Sequence, residues 1–574
     1  MRKKFFHIFG LLLLATLPAF GIEREAFTFT RYDLDVRIER SQQRLGVRGH
    51  ITLRNDSNAP QTIAALQISS TLDWRSIRCE DKQLQFVSQP YTSDVDHTGS
   101  LSEAIVTLPR ELKPKESIEI EVGYEGTIPL DATRLTRIGT PEAKARNSDW
   151  DQIASAFTAV RGVGYVAWYP IAVESASLSQ GNSVFDAVAR WKAREAAAEM
   201  KVKLSEFGDS VNGPPATEIL CNDGPGSTEA RMSRAYATWS NCSYAPIGIT
   251  VPSFVMAGYD MHERGAARFF FFPSHRDEVA GYEAAADQVL PLITDWFGEP
   301  KGKANVLELP DAGSAPFETG GMTFMPMTNP DRGLARITLA HGITHAAFSS
   351  SRPWVSEGIA HFMQALEREQ LAGRKAALDY MGLHRAAFLV AEQAVVGSKA
   401  GDGAAPQPLI STFDESYYRS KAMYVWWMLR DLIGEPALKK AIRKYRADED
   451  DNPKYVESLL EAESKADLAW FFEDWVYQDK GLPDFRVESA FPRKTDKGSY
   501  LVTVTIVNEG MAGAMVPFTV SFEGGEIEQR IEVRGKAKAI TRVEVGGRPQ
   551  QVVVNDGSVP ESDLMNNTFT ISSQ

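Results

Sequence analysis

The hydrophobic period changes twice along this chain, and that pattern confines it to a fold of several packed units. Between residues 25 and 135 apolar side chains alternate, as in "FTFTRYDLDVRIE", "LGVRGHITLRN", "AIVTLP" and "IEIEVGYEGTI", with Asn55-Asp56-Ser57-Asn58 as a turn signal. A period of two puts successive side chains on opposite faces of a strand, so this region predicts a mostly antiparallel β domain. "GYVAWYP", at 164 to 170, reads as a strand closing that domain, and "FDAVARWKAREAAAEMKVKL" reads as mixed. From about residue 245 the pattern shifts. "ARFFFFP" and "KANVLELP" are buried strands, and between them "EVAGYEAAADQVLPLITDWFG" is an amphipathic helix stopping at Gly298. Helical segments follow at 331–349, 354–370, 374–396, 416–433, 435–447, 453–461 and 464–477, which makes an α+β unit. After "KGLPDFRV" the period returns to two through "SYLVTVTIVNEG", "PFTVSFEGG", "EQRIEVRG", "AITRVEVGG" and "QQVVVND", short strands spaced as in an Ig-like β-sandwich. The expected organisation is multidomain: a leader at 1–21, an N-terminal antiparallel β domain at 22–205, an α+β domain at 206–484 and a C-terminal β-sandwich at 485–574.

The leader is a secretory signal by its physics. Arg2, Lys3 and Lys4 precede the apolar run "FFHIFGLLLLATLPAF", and Ala19-Phe20-Gly21 is a small-x-small cleavage site. The protein is therefore expected to be exported, to a periplasm or beyond, with no transmembrane segment once the signal is removed. Its formal charge of −13 argues against nucleic acid as a partner. Three cysteines are too few for a disulfide scaffold. Cys221 and Cys242 either pair or stand as buried thiols, and pairing would leave Cys79 over.

The chemistry is concentrated in "LAHGITHAAFSSSRPWVSEGIAHF". Leu334, Ile337, His341, His345 and Phe348 advance by three or four, so they share one helical stripe that is expected to face the core. Two buried imidazoles at i and i+4 need partners for four ring nitrogens, and a zinc ion satisfies one of each. Glu357 supplies a third ligand, and two histidines with one carboxylate leave zinc an open position, as in catalytic rather than structural sites. Read alone, Glu357 is an ordinary acid at a helix N-terminus. His361, four residues on, is a replacement ligand, a base or a substrate contact if it reaches the cleft, and otherwise a core-edge histidine.

These motifs resemble the gluzincin metallopeptidases, nearest to the aminopeptidase-N (membrane alanyl aminopeptidase) family. "WVSEGIA" is similar to that family's W-L-x-E-G-x-A signature, and "ETGGMTFM" stands where the family has its G-x-M-E-N strand. "YYRSKAMYVWWMLRDLIGEPALKKAIRKY" resembles the segment carrying the family's transition-state tyrosine, and "IVNEG" and "NDGSVPESDLMNN" resemble the C-terminal sandwich of secreted bacterial members. The resemblance implies a thermolysin-like α+β zinc-peptidase domain and one Zn2+ on His341, His345 and Glu357. It further implies Tyr418 as a catalytic hydrogen-bond donor, Gly320, Gly321, Met322 and Thr323 along a bound peptide, and a peptide or protein as the partner.

Three departures qualify what the resemblance implies. The spacing from His345 to Glu357 is shorter than in aminopeptidase N. Thr323 stands where the family has the acid that grips a free amino terminus. Gly342 replaces the glutamate that moves protons during hydrolysis, and such acid–base help is worth about 10² to 10⁴ in rate. Glu318 and Asp331 are the nearest carboxylates that could substitute. The expected function is a secreted zinc-binding homologue of the metallopeptidases that acts on or binds peptides, with hydrolysis weakened or lost. If active, it is an aminopeptidase-like hydrolase. The alternatives are a zinc-binding pseudopeptidase serving as a peptide- or protein-binding module and a structural protein of the cell envelope. The acidic turn "NDGSVPESD" is either a solvated loop or a calcium site.

Overall fold

The computed structural model describes residues 22–572 apart from 182, 209–216, 223, 226, 233–235, 329–331 and 398–407, so the leader and Asp331 lie outside the described residues. The alternating N-terminal segments pair as expected. Phe27–Glu39, Arg44–Asn55 and Ser117–Thr127 run antiparallel at the centre of an eight-stranded sheet. A second sheet of Gln61–Ser69, Ser100–Leu112 and Phe86–Thr92 packs on it, with Leu34, Val36, Leu53, Leu66 and Val106 among the residues buried between them.

Two expectations for this region are corrected. The first is the boundary at residue 205: Glu199–Gly208 pairs in parallel with Phe27–Glu39, and Tyr236–Tyr244 and Ser227–Met232 extend the same sheet. The N-terminal sheet therefore runs on to Tyr244, because the mixed segment splits into a helix, Ser183–Glu195, and a strand that returns beside the first one. The second concerns 164–170, which is not a strand. Its backbone is instead satisfied piecemeal: the Ser69 amide donates to the Ala167 carbonyl, and the Tyr124 and Tyr32 hydroxyls donate to the Trp168 and Pro170 carbonyls. Apolar strands and apolar buried loops look alike in sequence.

The middle unit holds a five-stranded sheet in the order Asp260–Arg264, Ala267–Phe271, Ala304–Glu308, Met322–Met325, Phe317–Thr319. The last two form a hairpin, and Phe317–Thr319 is the sheet edge. The helix Arg276–Phe297 buries Val279, Tyr282, Val289 and Ile293. Beside it lie Arg332–Ala347, Pro353–Ala372, Arg374–Gly397 and Ala422–Ile433, close to the segments the period of 3.6 marks out. A small sheet containing Glu218–Cys221, Phe254–Ala257 and Phe157–Val160 stands next to the N-terminal unit. Cys221 and Cys242 are bonded, tying this sheet to the large one, and Cys79 is free.

The C-terminal sandwich lays Phe485–Lys494, Tyr500–Asn508 and Lys538–Val545 over Gly525–Val533, Ala514–Phe522, Pro549–Val554 and Thr568–Thr570. It shares one continuous apolar core with the helical unit, and the Trp475 indole donates to the Gly513 carbonyl at 2.8 Å across the junction. In the acidic turn Glu561 accepts the Phe485 amide and the Asn555 and Asn567 side chains, while Asp556 pairs with Arg374 at 3.0 Å. Those carboxylates are engaged by donors of the protein itself, which disfavours calcium there. No helix among the described residues is long and apolar enough to cross a membrane.

Candidate metal centre

The helix Arg332–Ala347 packs against Arg276–Phe297 on one side and Pro353–Ala372 on the other. Its core face is Ala335, Leu339 and Ile343, all buried, whereas Leu334 is 46% exposed. The histidine stripe faces inward in part: His341 is buried as expected, His345 and Ile337 are half-buried, and Leu334 turns outward.

Gly342 faces the sheet. A Cβ there would stand 2.9 Å from the Thr323 hydroxyl oxygen and 3.4 Å from the Ala304 side chain. The glycine therefore permits a close approach of helix to strand, which offsets the roughly 1 kcal/mol that glycine costs in a helix. The neighbouring helix begins at Pro353, whose missing N–H is harmless at a first helical position. Trp354 anchors it by stacking on Trp426 at 5.3 Å, and one turn on, Glu357 reaches back toward the histidines.

The three expected ligands converge. The Nε2 atoms of His341 and His345 are 3.0 Å apart, His345 Nε2 is 3.3 Å from Glu357 Oε1, and His341 Nε2 is 3.7 Å from Glu357 Oε2. Tetrahedral zinc with bonds of about 2.0 to 2.2 Å sets its ligand atoms about 3.3 Å apart. Among the described residues His341, His345 and Glu357 are the group whose donor atoms lie close enough together for one ion. Two ring nitrogens pointed at each other across 3.0 Å accept at most one shared proton, so a cation between them relieves an otherwise poor contact. The residues present fit zinc.

Further charges surround this cage. Glu318, on the edge strand, brings Oε2 to 2.8 Å from His341 Nε2. Arg419 donates from Nε to Glu357 at 3.1 Å and lies 3.5 Å from Glu415, which Lys192 holds at 2.8 Å. Burial alone would depress the His341 imidazole, but the Glu318 and Glu357 carboxylates outweigh it and raise the pKa. Burial likewise opposes charge on Glu357, and Arg419 with the two imidazoles overcomes it, holding this carboxyl well below the usual range. Against the burial of Glu415, Lys192 and Arg419 bring its carboxyl down to about 2. Glu357 is therefore ready as a carboxylate ligand, which metal binding requires.

The other expected site residues fall as follows. Tyr418 is buried, and its hydroxyl accepts from the Lys192 ammonium at 3.1 Å. His361 is buried with its ring 4.8 Å from that of His341, and burial, with His341 and His384 nearby, holds it neutral. Gly320 and Gly321 form the hairpin turn, and Met322 is buried among Phe324, Phe317 and Trp150. Thr323 is buried on the inner strand beneath Gly342. Glu318, opposite Thr323 on the paired edge strand, is the acid of this hairpin that lies beside His341. Arg419, Lys192 and Glu415 were missed from sequence. Arg419 adjoins Tyr418 in the helical motif and was within reach, whereas Lys192 lies in the N-terminal unit and carries no local signal.

No protein-family model matches this chain, and no curated protein does. Solved structures do. Aminopeptidase A of Legionella pneumophila, crystallised in complex with aspartic acid, superposes with a TM-score of 0.57 over 93% of this chain and 59% of that one, at 13% identity. The two chains share a fold. An M1 zinc metallopeptidase from Deinococcus radiodurans matches with a TM-score of 0.44 at 15% identity, over 79% of this chain and 94% of that one. This chain thus spans about three fifths of the length of the Legionella enzyme.

Proposed function

We propose that this protein is an exported, zinc-binding relative of the aminopeptidases that holds peptides by their free amino end and hydrolyses them slowly. The observation that carries this reading is the pairing of a complete His341–His345–Glu357 cage with a carboxylate, Glu318, 2.8 Å from His341, while position 342 has no side chain. When bound, zinc polarises a carbonyl and lowers the pKa of its water. The chain's own residues do the rest. Glu318 offers its carboxylate to the ammonium of a peptide's first residue, the role that the acid of the hairpin has in the aminopeptidase-N family. Arg419 fixes Glu357 in its ionised, ligand-ready form. Lys192 takes a lone pair of Tyr418, leaving its O–H to donate.

What the site lacks is a proton carrier at position 342, and Thr323 occupies the space such a carrier would need. Hydrolysis should therefore run about 10² to 10⁴ below a site with that base. The test is equilibrium binding of trialanine and N-acetyl-trialanine to the zinc-loaded protein, with turnover followed in parallel. A preference for the free amine with slow turnover supports the reading. Equal affinity for both peptides, or turnover typical of an aminopeptidase, refutes it.

A further inference from the structure

Glu318 sits on a strand of only three residues, at the sheet edge, next to a turn of two glycines. Such a strand has one hydrogen-bonded neighbour and little to fix its tilt. Its position nevertheless decides where the carboxylate stands relative to His341, and a misplacement of about 1 Å costs much of a site's effect.

The feature that fixes it comes from outside the zinc domain's sheet. Asn222 is fully buried immediately after Cys221, whose bond to Cys242 fastens it to the N-terminal sheet. Its Oδ1 accepts from the Tyr244 hydroxyl and the Ser253 amide, both at 2.7 Å, and its Nδ2 donates to the Val251 carbonyl at 3.0 Å. These bonds hold the side chain in one orientation. The remaining Nδ2 hydrogen goes to the Thr319 hydroxyl at 3.1 Å, and the Asn222 carbonyl accepts the Gly321 amide at 2.8 Å. Ser253 adds a hydroxyl contact to Thr319 at 3.1 Å. Packing is equally close: a Cβ at Gly320, whose φ is +56°, would lie 2.6 Å from the Asn222 Cβ. Asn222 thus grips the turn on both sides, and Thr319 is the residue next to Glu318.

We propose that Asn222 is a positioning residue for the amino-terminus site, acting through Thr319 and Gly321 to hold Glu318 at the cleft. This inference rests on the reading of Glu318 as the ammonium acceptor. It gives the small sheet beside the N-terminal unit a direct part in peptide selection. Its chemistry suits the task, since an asparagine supplies two donors and an acceptor without adding a charge that would compete with Glu318 for the ammonium.

The test uses Thr319→Val, which removes the gripped hydroxyl while keeping the side chain's shape, and Asn222→Ala as the stronger variant. Zinc content and the thermal unfolding temperature are checked first, and Thr319→Val keeps the question open to experiment should Asn222→Ala fail to fold. With trialanine and N-acetyl-trialanine as probes, both variants should lose about tenfold in affinity for the free amine, with the acetylated peptide unaffected. A loss of fold alone would weaken both peptides together. Hydrogen exchange over 317–323 gives the second readout, and it should accelerate in both variants while the histidine helix stays protected. Unchanged exchange and an unchanged preference would overturn the proposal. If the wild-type protein shows no amine preference but exchange still accelerates, the grip on the hairpin stands and the reading of Glu318 fails.

Discussion

Restoring the missing acid, Gly342→Glu, should damage the protein before it helps it. A Cβ at 342 lies 2.9 Å from the Thr323 hydroxyl oxygen, closer than side chains tolerate. Leaving glycine gains about 1 kcal/mol of helix propensity, while forcing atoms into a filled site costs about 1 to 3 kcal/mol. The single variant should therefore be destabilised by up to about 2 kcal/mol. Thr323→Ala removes the offending oxygen and leaves Ala304, at 3.4 Å, as the tightest neighbour. In Gly342→Glu/Thr323→Ala the two changes should compensate, with a favourable coupling of about 0.5 to 3 kcal/mol. Urea unfolding of the four proteins of this cycle measures that coupling. Turnover of an amino-acid p-nitroanilide should rise by about 10² to 10⁴ in the double variant, and less in the single one. The reasoning is refuted if Gly342→Glu alone is as stable as the parent and the coupling falls within error of zero.

Other consequences follow from groups away from the candidate metal centre. Lys421 is buried and holds Asp479 at 2.9 Å as well as Glu392. Lys421→Met strands both carboxylates, and urea unfolding should show a loss of about 3 to 5 kcal/mol. Glu195 is fully buried, with Arg194 no nearer than 4.0 Å, and burial raises its carboxyl from 4.5 to about 8. Because the folded chain holds this proton more tightly than the unfolded one, its contribution is fully present below about pH 4.5 and is lost as the pH rises to about 8. Glu195→Gln should flatten that decline in unfolding midpoints measured across the interval, and a parallel slope in the variant would count against it.

Much of the fold was legible because its signals are local. Helix limits fell within a few residues where Pro353, Gly298 and Gly434 punctuate the chain. The convergence of His341, His345 and Glu357 was legible for the same reason, since i, i+4 spacing and one following helix place all three. What failed depends on partners distant in sequence. That Glu318 lies beside His341 follows from the pairing of Phe317–Thr319 with Met322–Met325 at the sheet edge, which no local pattern reports. The segment 164–170 has a strand's composition, yet tyrosine hydroxyls from other strands satisfy its carbonyls. Lys192 is 226 residues from Tyr418, and no periodicity reports such a contact. The gain from Gly342 was equally invisible, because it lies in the space between that helix and Thr323.

Metal content decides the central claim. Mass spectrometry of metals in the purified protein should find one zinc per chain, and His345→Ala, which removes one ligand of the cage, should hold almost none while staying folded. A native chain without stoichiometric zinc, or a His345→Ala variant that keeps it, would contradict the account.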